Sequence, residues 1–166
     1  PKVRLALLCG KLEDSFATVF RQVVLTRFEQ KMHKARKEEG ELSSERFNTL
    51  WAEANQPMFG DSVNLSENYG YWWSYIGHFI HVPFYCYAYS FGELLVFALV
   101  QKYEQEKESF VPKYMDLLSR GGSESPVDLL ARMNIDLNDP GFWELGLKLL
   151  DSMVTEVEEL ATQLGK

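Results

Sequence analysis

The sequence has few cysteines, no excess of basic charge and no long uncharged hydrophobic run, and each shortage removes a class of protein. Its two cysteines, Cys9 and Cys86, are far apart in apolar surroundings. This pattern is typical of reduced, buried thiols in a cytosolic protein rather than of a disulfide framework. The net charge of −7 argues against a nucleic-acid surface, which needs a concentrated basic face. We therefore expect a cytoplasmic protein with no nucleic-acid partner.

Membrane and targeting segments are also missing. The longest apolar run, residues 84–100, contains Glu93 and several tyrosines, which favours a buried helix over a membrane span. Residues 1–8 lack the basic start and the small-residue cleavage site of a signal peptide. The chain begins with proline rather than methionine, so we expect its natural N-terminus to lie elsewhere. We expect no membrane partner.

What is present is helical periodicity along most of the chain. Apolar residues at three- and four-residue spacings predict a long helix over residues 2–39. A second helix is predicted to begin at Ser43 or Ser44. A third, apolar nearly all round, is predicted from Pro83 to about residue 108, because proline is favourable at the first position of a helix. Shorter helices are predicted over 110–120, from 126, and over 140–164.

No alternating strand pattern accompanies these helices. The 166 residues, of which 46% are hydrophobic and 25% charged, suffice for one domain with a sizeable core. We predict a single all-α domain over residues 1–166, with a long N-terminal helix and a central buried aromatic-rich helix.

Residues 69–91, YGYWWSYIGHFIHVPFYCYAYSF, hold an unusual density of aromatic side chains and two of the three histidines. Aromatic rings bury large surfaces, but each tyrosine hydroxyl and tryptophan N–H needs a hydrogen-bond partner once it is buried. A stretch both so apolar and so rich in donors is either an elaborate core or the wall of a binding cleft.

The predicted helix start at Pro83 makes part of this stretch a candidate site. Free amides and the positive end of the helix dipole beside His81 favour developing negative charge. Tyr85 and Tyr87 follow within one turn, and His78 lies three residues before His81. Together these donors would suit the stabilisation of an oxyanion. The alternative is a polar-lined core in which the same side chains satisfy one another.

The sequence offers little else that carries chemistry. His78 and His81 have the spacing of a helical metal pair, but no third ligand accompanies them at a motif spacing. Glycine-rich phosphate loops, nucleophile elbows and Cys/His catalytic pairs are absent. His33 and the acidic residues near the C-terminus are explained by solvation. We therefore expect no metal ligands and no cofactor site in this chain.

Several segments resemble one known family: FRQVVLTRFEQKMH, FGDSV, YWWSYIGHFIHVPFYCYAYSFGELLVFAL, LLSRGG and DPGFWELGL. Over essentially the whole chain they closely resemble the C-terminal part of bacterial oligoendopeptidase F, in the thimet-oligopeptidase family of zinc metallopeptidases. The resemblance implies that an H-E-x-x-H helix and a later glutamate hold zinc, and that the motif glutamate activates water. It also implies that histidines and tyrosines of the aromatic segment bind an oligopeptide substrate and stabilise the oxyanion. By motif, these roles fall to His78 or His81 and to Tyr85 and Tyr87.

The sequence departs from the family in containing no H-E-x-x-H. The resemblance therefore implies a C-terminal fragment of a larger metallopeptidase catalytic domain. Zinc belongs to the full-length enzyme, and we expect this chain to be inactive and metal-free by itself. Val3 and Leu7 make the first turns more apolar than a free terminus, and we expect self-association through the 2–39 helix.

Two other functions stay open from the residues alone. One is a free-standing helical binding module whose aromatic cleft takes an apolar or planar ligand, and its sharpest version uses His78 or His81 as an axial haem ligand. The other is a structural helical assembly unit, in which neither histidine has a catalytic role.

Overall fold

The computed structural model describes residues 1–165, which form eight α-helices and no β-strand. The helices are α1 Lys2–Ser15, α2 Arg21–Glu39, α3 Ser44–Phe59, α4 His78–His81, α5 Tyr87–Glu106, α6 Val111–Arg120, α7 Pro126–Ala131 and α8 Pro140–Gln163. A π-helical turn, Phe16–Phe20, continues α1 into α2, and a 3-10 helix, Glu67–Tyr75, precedes α4. The predicted all-α class with its long N-terminal helix is confirmed. Over the described range, no helix combines the length and apolar character that a membrane crossing requires.

The helices belong to two compact units. The aromatic unit is Asp14–Phe91, and the terminal unit combines Pro1–Glu13 with the chain from Gly92 onward. In the terminal unit, α5 and α8 approach so closely that a Cβ added at Gly146 would lie 2.8 Å from the carbonyl oxygen of Leu94. Its core holds Ala98, Leu99, Phe110, Leu130, Met133, Ile135 and Phe142.

The core of the aromatic unit is centred on Phe28 of α2 and Trp51 of α3. Both side chains are almost fully buried, and their rings meet edge to face with centroids 5.1 Å apart. Phe79 of α4 packs against Phe28 at 5.2 Å. Edge-to-face contacts of this kind stabilise aromatic pairs beyond the area that they bury. Helix α4, which carries the predicted histidines, is therefore attached to the core through Phe79, one of the two residues between them.

Asparagines of α3 satisfy the polar atoms of the aromatic stretch. The indole N–H of Trp73 donates to Asn48 at 2.8 Å, and the hydroxyl of Tyr69 donates to Asn55 at 3.0 Å. Burial raises the pKa of the Tyr69 phenol, so it keeps its proton as a donor. Tyr69 and Trp73 thus pack, partly buried, against the core with partners for their donors, whereas Tyr71, Trp72 and Tyr75 are exposed.

The π-helical turn is stabilised by a serine from α5. A π-turn widens the helix and leaves backbone carbonyls without their usual partners. The buried hydroxyl of Ser90 donates to the carbonyl oxygen of Val19 at 2.8 Å. This contact attaches the start of α5 to the helix on which Phe28 lies.

Helix α5 begins at Tyr87, so the prediction of a helix start at Pro83 is wrong. Phe84 adopts a φ of 58°, a left-handed conformation that cannot continue an α-helix. Its amide donates to the Glu29 carboxylate at 2.8 Å instead of to a preceding carbonyl. A buried acid 55 residues away in sequence therefore outweighs the local preference of proline for a helix start. Because no helix begins at Pro83, free helix-start amides beside His81 do not provide an oxyanion site.

Self-association through residues 2–39 stays a prediction. Val3 and Leu7, one helical turn apart, are 75% and 71% exposed, and water-exposed apolar pairs favour association. We expect light scattering at high micromolar concentration to give a mass above that of a monomer, and replacement of both residues by aspartate to reduce it. A wild-type chain that stays monomeric under these conditions would contradict the prediction.

Candidate functional site

Three polar aromatic side chains of the aromatic unit form one cluster. The rings of His78 and Tyr85 are parallel, with centroids 6.2 Å apart. Tyr89 meets both rings edge-on, at 5.9 Å from His78 and 5.4 Å from Tyr85. The hydroxyl of Tyr89 lies 3.2 Å from Nε2 of His78, within hydrogen-bond range. We call these three residues the His–Tyr cluster.

Local backbone structure brings the cluster together. His78 opens α4, whose Phe79 is fixed in the core. Tyr85 lies two residues before α5, and its carbonyl already accepts the amide of Ala88 at 2.9 Å, which forms the first turn of that helix. Tyr89 follows Tyr85 by four residues, so their side chains fall on the same side of the turn. The cluster thus joins two short helical ends across the 82–86 turn.

The structure places the four predicted site residues in two groups. His78 and Tyr85 belong to the His–Tyr cluster. His81 and Tyr87 are exposed, Tyr87 by 58%, and within residues 1–165 no hydrogen bond or ring contact attaches either to the cluster. Their proposed catalytic roles stay predictions.

Sequence reasoning missed Tyr89. The spacing of four that places Tyr89 on the same side of the helix as Tyr85 is visible in the motif FYCYAY, but only Tyr85 and Tyr87 are predicted as site residues. The misplaced helix start hid that signal, because Tyr85 to Tyr89 then became an interior turn among many aromatic residues. The 3.2 Å contact with His78 identifies Tyr89 as a member of the site.

A buried carboxylate lies beneath the turn that carries Tyr85. Glu29 has no exposed side-chain surface, accepts the Phe84 amide, and lies 4.0 Å from Nε2 of His33. The His33 ring packs on the Phe84 ring at 4.8 Å, so this histidine has a packing role beyond solvation. Burial raises the pKa of the Cys86 thiol, and the nearby Glu29 charge raises it further. Cys86 is therefore a protonated core residue rather than a nucleophile.

The described residues provide no metal centre. No three side chains among the His, Cys, Asp and Glu of residues 1–165 lie close enough together to hold an ion. A groove of about 690 Å³ in the aromatic unit lies elsewhere, and none of the predicted site residues lines it. Its apolar walls include Phe16, Phe20, Val23, Pro57 and Met58. The His–Tyr cluster is thus a partly exposed surface site.

The cluster can present a hydrogen-bond donor of defined direction. When Nε2 of His78 carries a proton, it donates to the Tyr89 oxygen and leaves the phenolic proton free for a ligand. In the other tautomer, Tyr89 donates to Nε2 and the Nδ1 proton of His78 is the free donor. Either arrangement offers a polarised donor beside the apolar faces of two tyrosine rings, which suits a peptide carbonyl.

Known proteins are similar to this chain in sequence and in fold. Residues 3–149 match the model of "Peptidase family M3". Oligopeptidase PepF of Bacillus subtilis is 32% identical over 159 residues, which cover 96% of this chain and 24% of the relative. The chromosomal oligoendopeptidase F of Lactococcus lactis is 31% identical, with coverages of 96% and 26%. The chain therefore spans about a quarter of the length of these curated relatives.

A solved structure agrees with the sequence matches. Oligoendopeptidase-F from Enterococcus faecium superposes with a TM-score of 0.89 at 27% identity, over 98% of this chain and 31% of that one. The fold that carries the His–Tyr cluster is thus that of a segment within a larger peptidase. By the family match over most of its length, the chain belongs to peptidase family M3.

Proposed function

We propose that this chain is the C-terminal portion of a zinc metalloendopeptidase that cleaves oligopeptides. It supplies side chains that bind the substrate and stabilise the oxyanion. The observation that carries the proposal is the His–Tyr cluster, in which His78 and Tyr89 are hydrogen-bonded at 3.2 Å on a partly exposed face. The membership in peptidase family M3 supplies the reaction class, and the names of the relatives supply the oligopeptide substrate.

Zinc, which the family resemblance implies, has no set of ligands within residues 1–165. We therefore assign the metal, and the glutamate that activates water, to residues outside this chain. Zinc in such a peptidase supplies Lewis-acid activation of water and carbonyl. This chain contributes hydrogen-bond donors and apolar surface.

The hydroxyl of Tyr89 is the proposed donor to the carbonyl oxygen of the scissile peptide. Negative charge grows on that oxygen as the tetrahedral intermediate forms, so a donor held in place beforehand stabilises the transition state more than the substrate. His78 orients the phenol through its 3.2 Å contact, and the ring of Tyr85, 44% exposed, offers a face to the substrate backbone. His81 and Tyr87 are exposed nearby and are proposed to bind the flanking peptide.

A chimera provides the direct test. The 159 matched residues of the Bacillus subtilis relative are replaced by this chain, so that the remainder of that enzyme completes the catalytic domain. We expect the chimera to hydrolyse fluorogenic oligopeptides. We also expect a variant with His78, His81, Tyr85 and Tyr87 all replaced to bind zinc but lose activity. A folded, zinc-loaded variant of that kind with unchanged activity would refute the proposal.

The isolated chain is expected to be inactive. It offers hydrogen-bond donors, but residues 1–165 contain no group of side chains that could hold a metal ion. Hydrogen-bond donors alone do not activate water. Zinc content measured by atomic absorption should be well below one ion per chain, and oligopeptide cleavage should not exceed that of a buffer blank. Stoichiometric zinc together with hydrolysis, in a sample free of contaminating peptidases, would show the assignment of the metal to be incorrect.

A further inference from the structure

The buried carboxylate of Glu29 carries an inference beyond the roles already described. Its side chain has no exposed surface. Oε1 accepts the amide of Phe84 at 2.8 Å, whereas Oε2 has no hydrogen-bond partner among the described residues. An unpartnered buried oxygen is costly, and well-packed apolar groups often replace buried charges without loss of stability. Stability alone therefore does not explain a glutamate at this position.

The amide that donates to Glu29 belongs to Phe84, which lies in a strained turn. Phe84 has a φ of 58°, a region that non-glycine residues adopt only when their surroundings impose it. Two contacts impose it here: the hydrogen bond from its amide to Glu29 and the packing of its ring on His33, with centroids 4.8 Å apart. Both come from α2, so this helix determines the course of the turn.

The 82–86 turn determines where Tyr85 lies. Phe84, immediately before it, is held by Glu29, and Cys86, immediately after it, has no exposed surface in the core. Tyr85 is thus fixed between two anchors, with its ring parallel to that of His78. The same turn leads directly into the first turn of α5, which carries Tyr89.

We propose that Glu29 is a positioning residue for the His–Tyr cluster. Through the Phe84 amide, it holds the 82–86 turn in the conformation that stacks Tyr85 on His78 and brings Tyr89 within reach of the imidazole. A role of Glu29 in catalysis rests on the proposed function, but its effect on the geometry of the His–Tyr cluster does not. Glu29 touches no substrate, because it lies beneath the turn.

The test uses isotope-labelled chain and NMR. Three variants are compared with the wild type: Glu29→Met, which keeps the length but removes the acceptor; Glu29→Gln, which keeps an acceptor oxygen; and Glu38→Gln, a control on the exposed face of the same helix. The measurements are the hydrogen exchange of the Phe84 amide and the chemical shifts of the His78 ring protons, which sense the parallel Tyr85 ring. Indole signals of Trp51 report on the intact core.

In Glu29→Met, exchange of the Phe84 amide should accelerate by about tenfold, as expected for the loss of a buried hydrogen bond. The His78 ring signals should shift while the Trp51 signal stays in place. Glu29→Gln should restore both readouts to within about threefold of the wild-type rate, and Glu38→Gln should leave them unchanged. A purely structural role would instead move the Trp51 signal together with the cluster.

Unchanged His78 signals in a folded Glu29→Met chain would overturn the proposal. Should that variant not fold, the wild type decides: a Phe84 amide that exchanges as fast as in an unstructured peptide would equally overturn it. These readouts need no peptide cleavage. If the chimera is inactive but substitution of Glu29 changes the His78 ring signals as expected, only the proposed function is contradicted. If the chimera is active but those signals do not respond to Glu29, only this inference is contradicted.

Discussion

Replacing Tyr89 by phenylalanine is expected to lower kcat/KM of the chimera by about 10²-fold, as for the loss of a single oxyanion donor. The substitution removes one oxygen and leaves the ring that packs edge-on against His78 and Tyr85. The loss should appear mainly in kcat, because the hydrogen bond strengthens only as charge develops on the carbonyl oxygen. Steady-state hydrolysis of a fluorogenic oligopeptide measures both constants.

Tyr71→Phe is the matched control for this effect. Tyr71 is an exposed tyrosine of the same unit and lies outside the His–Tyr cluster, so its loss should leave both constants within about twofold, the range of an ordinary surface change. His78→Gln should approach the effect of Tyr89→Phe, since it removes the group that orients the phenol. If the Tyr89→Phe chimera is as active as the Tyr71→Phe chimera, the Tyr89 hydroxyl has no role in the reaction.

Replacing Phe28 by alanine is expected to reduce the free energy of unfolding by about 3–5 kcal/mol, the usual cost of deleting a fully buried aromatic ring. Phe28 has no exposed surface and contacts the rings of both Trp51 and Phe79. Its loss leaves a cavity at the point where α2, α3 and α4 meet. Urea denaturation followed by tryptophan fluorescence measures the change.

Phe28→Leu distinguishes the destabilisation caused by the cavity from that caused by the loss of buried apolar surface. Leucine fills most of the space, so the expected cost is about 1–2 kcal/mol. Because Phe28 precedes Glu29, the alanine variant should also loosen the 82–86 turn, whereas the leucine variant should leave the His78 ring signals in place. A Phe28→Ala chain that loses less than about 1 kcal/mol would show that the core can collapse around the missing ring.

The aromatic stretch shows how far local patterns extend. The donors of Trp73 and Tyr69 needed partners, and α3 provides them through Asn48 and Asn55. The sequence predicted that need from the chemistry of indole and phenol, but it did not indicate which residues would meet it. Side-chain partners 14 and 25 residues away depend on how two elements pack, and periodicity within one element carries no such information.

By itself, the sequence determined the helical class, the long N-terminal helix and the family resemblance, because each depends on residues close together in the chain. The period of apolar side chains predicts helices, and the motif around His78 and Tyr85 marks the candidate site. Only the tertiary structure decided where α5 begins and which tyrosine meets the imidazole. The physical reason is the contact between Glu29 and the Phe84 amide, 55 residues apart. The buried hydrogen bond between them holds Phe84 at a left-handed φ of 58° that no local propensity favours. That turn, rather than a helix start at Pro83, brings Tyr85 and Tyr89 to His78.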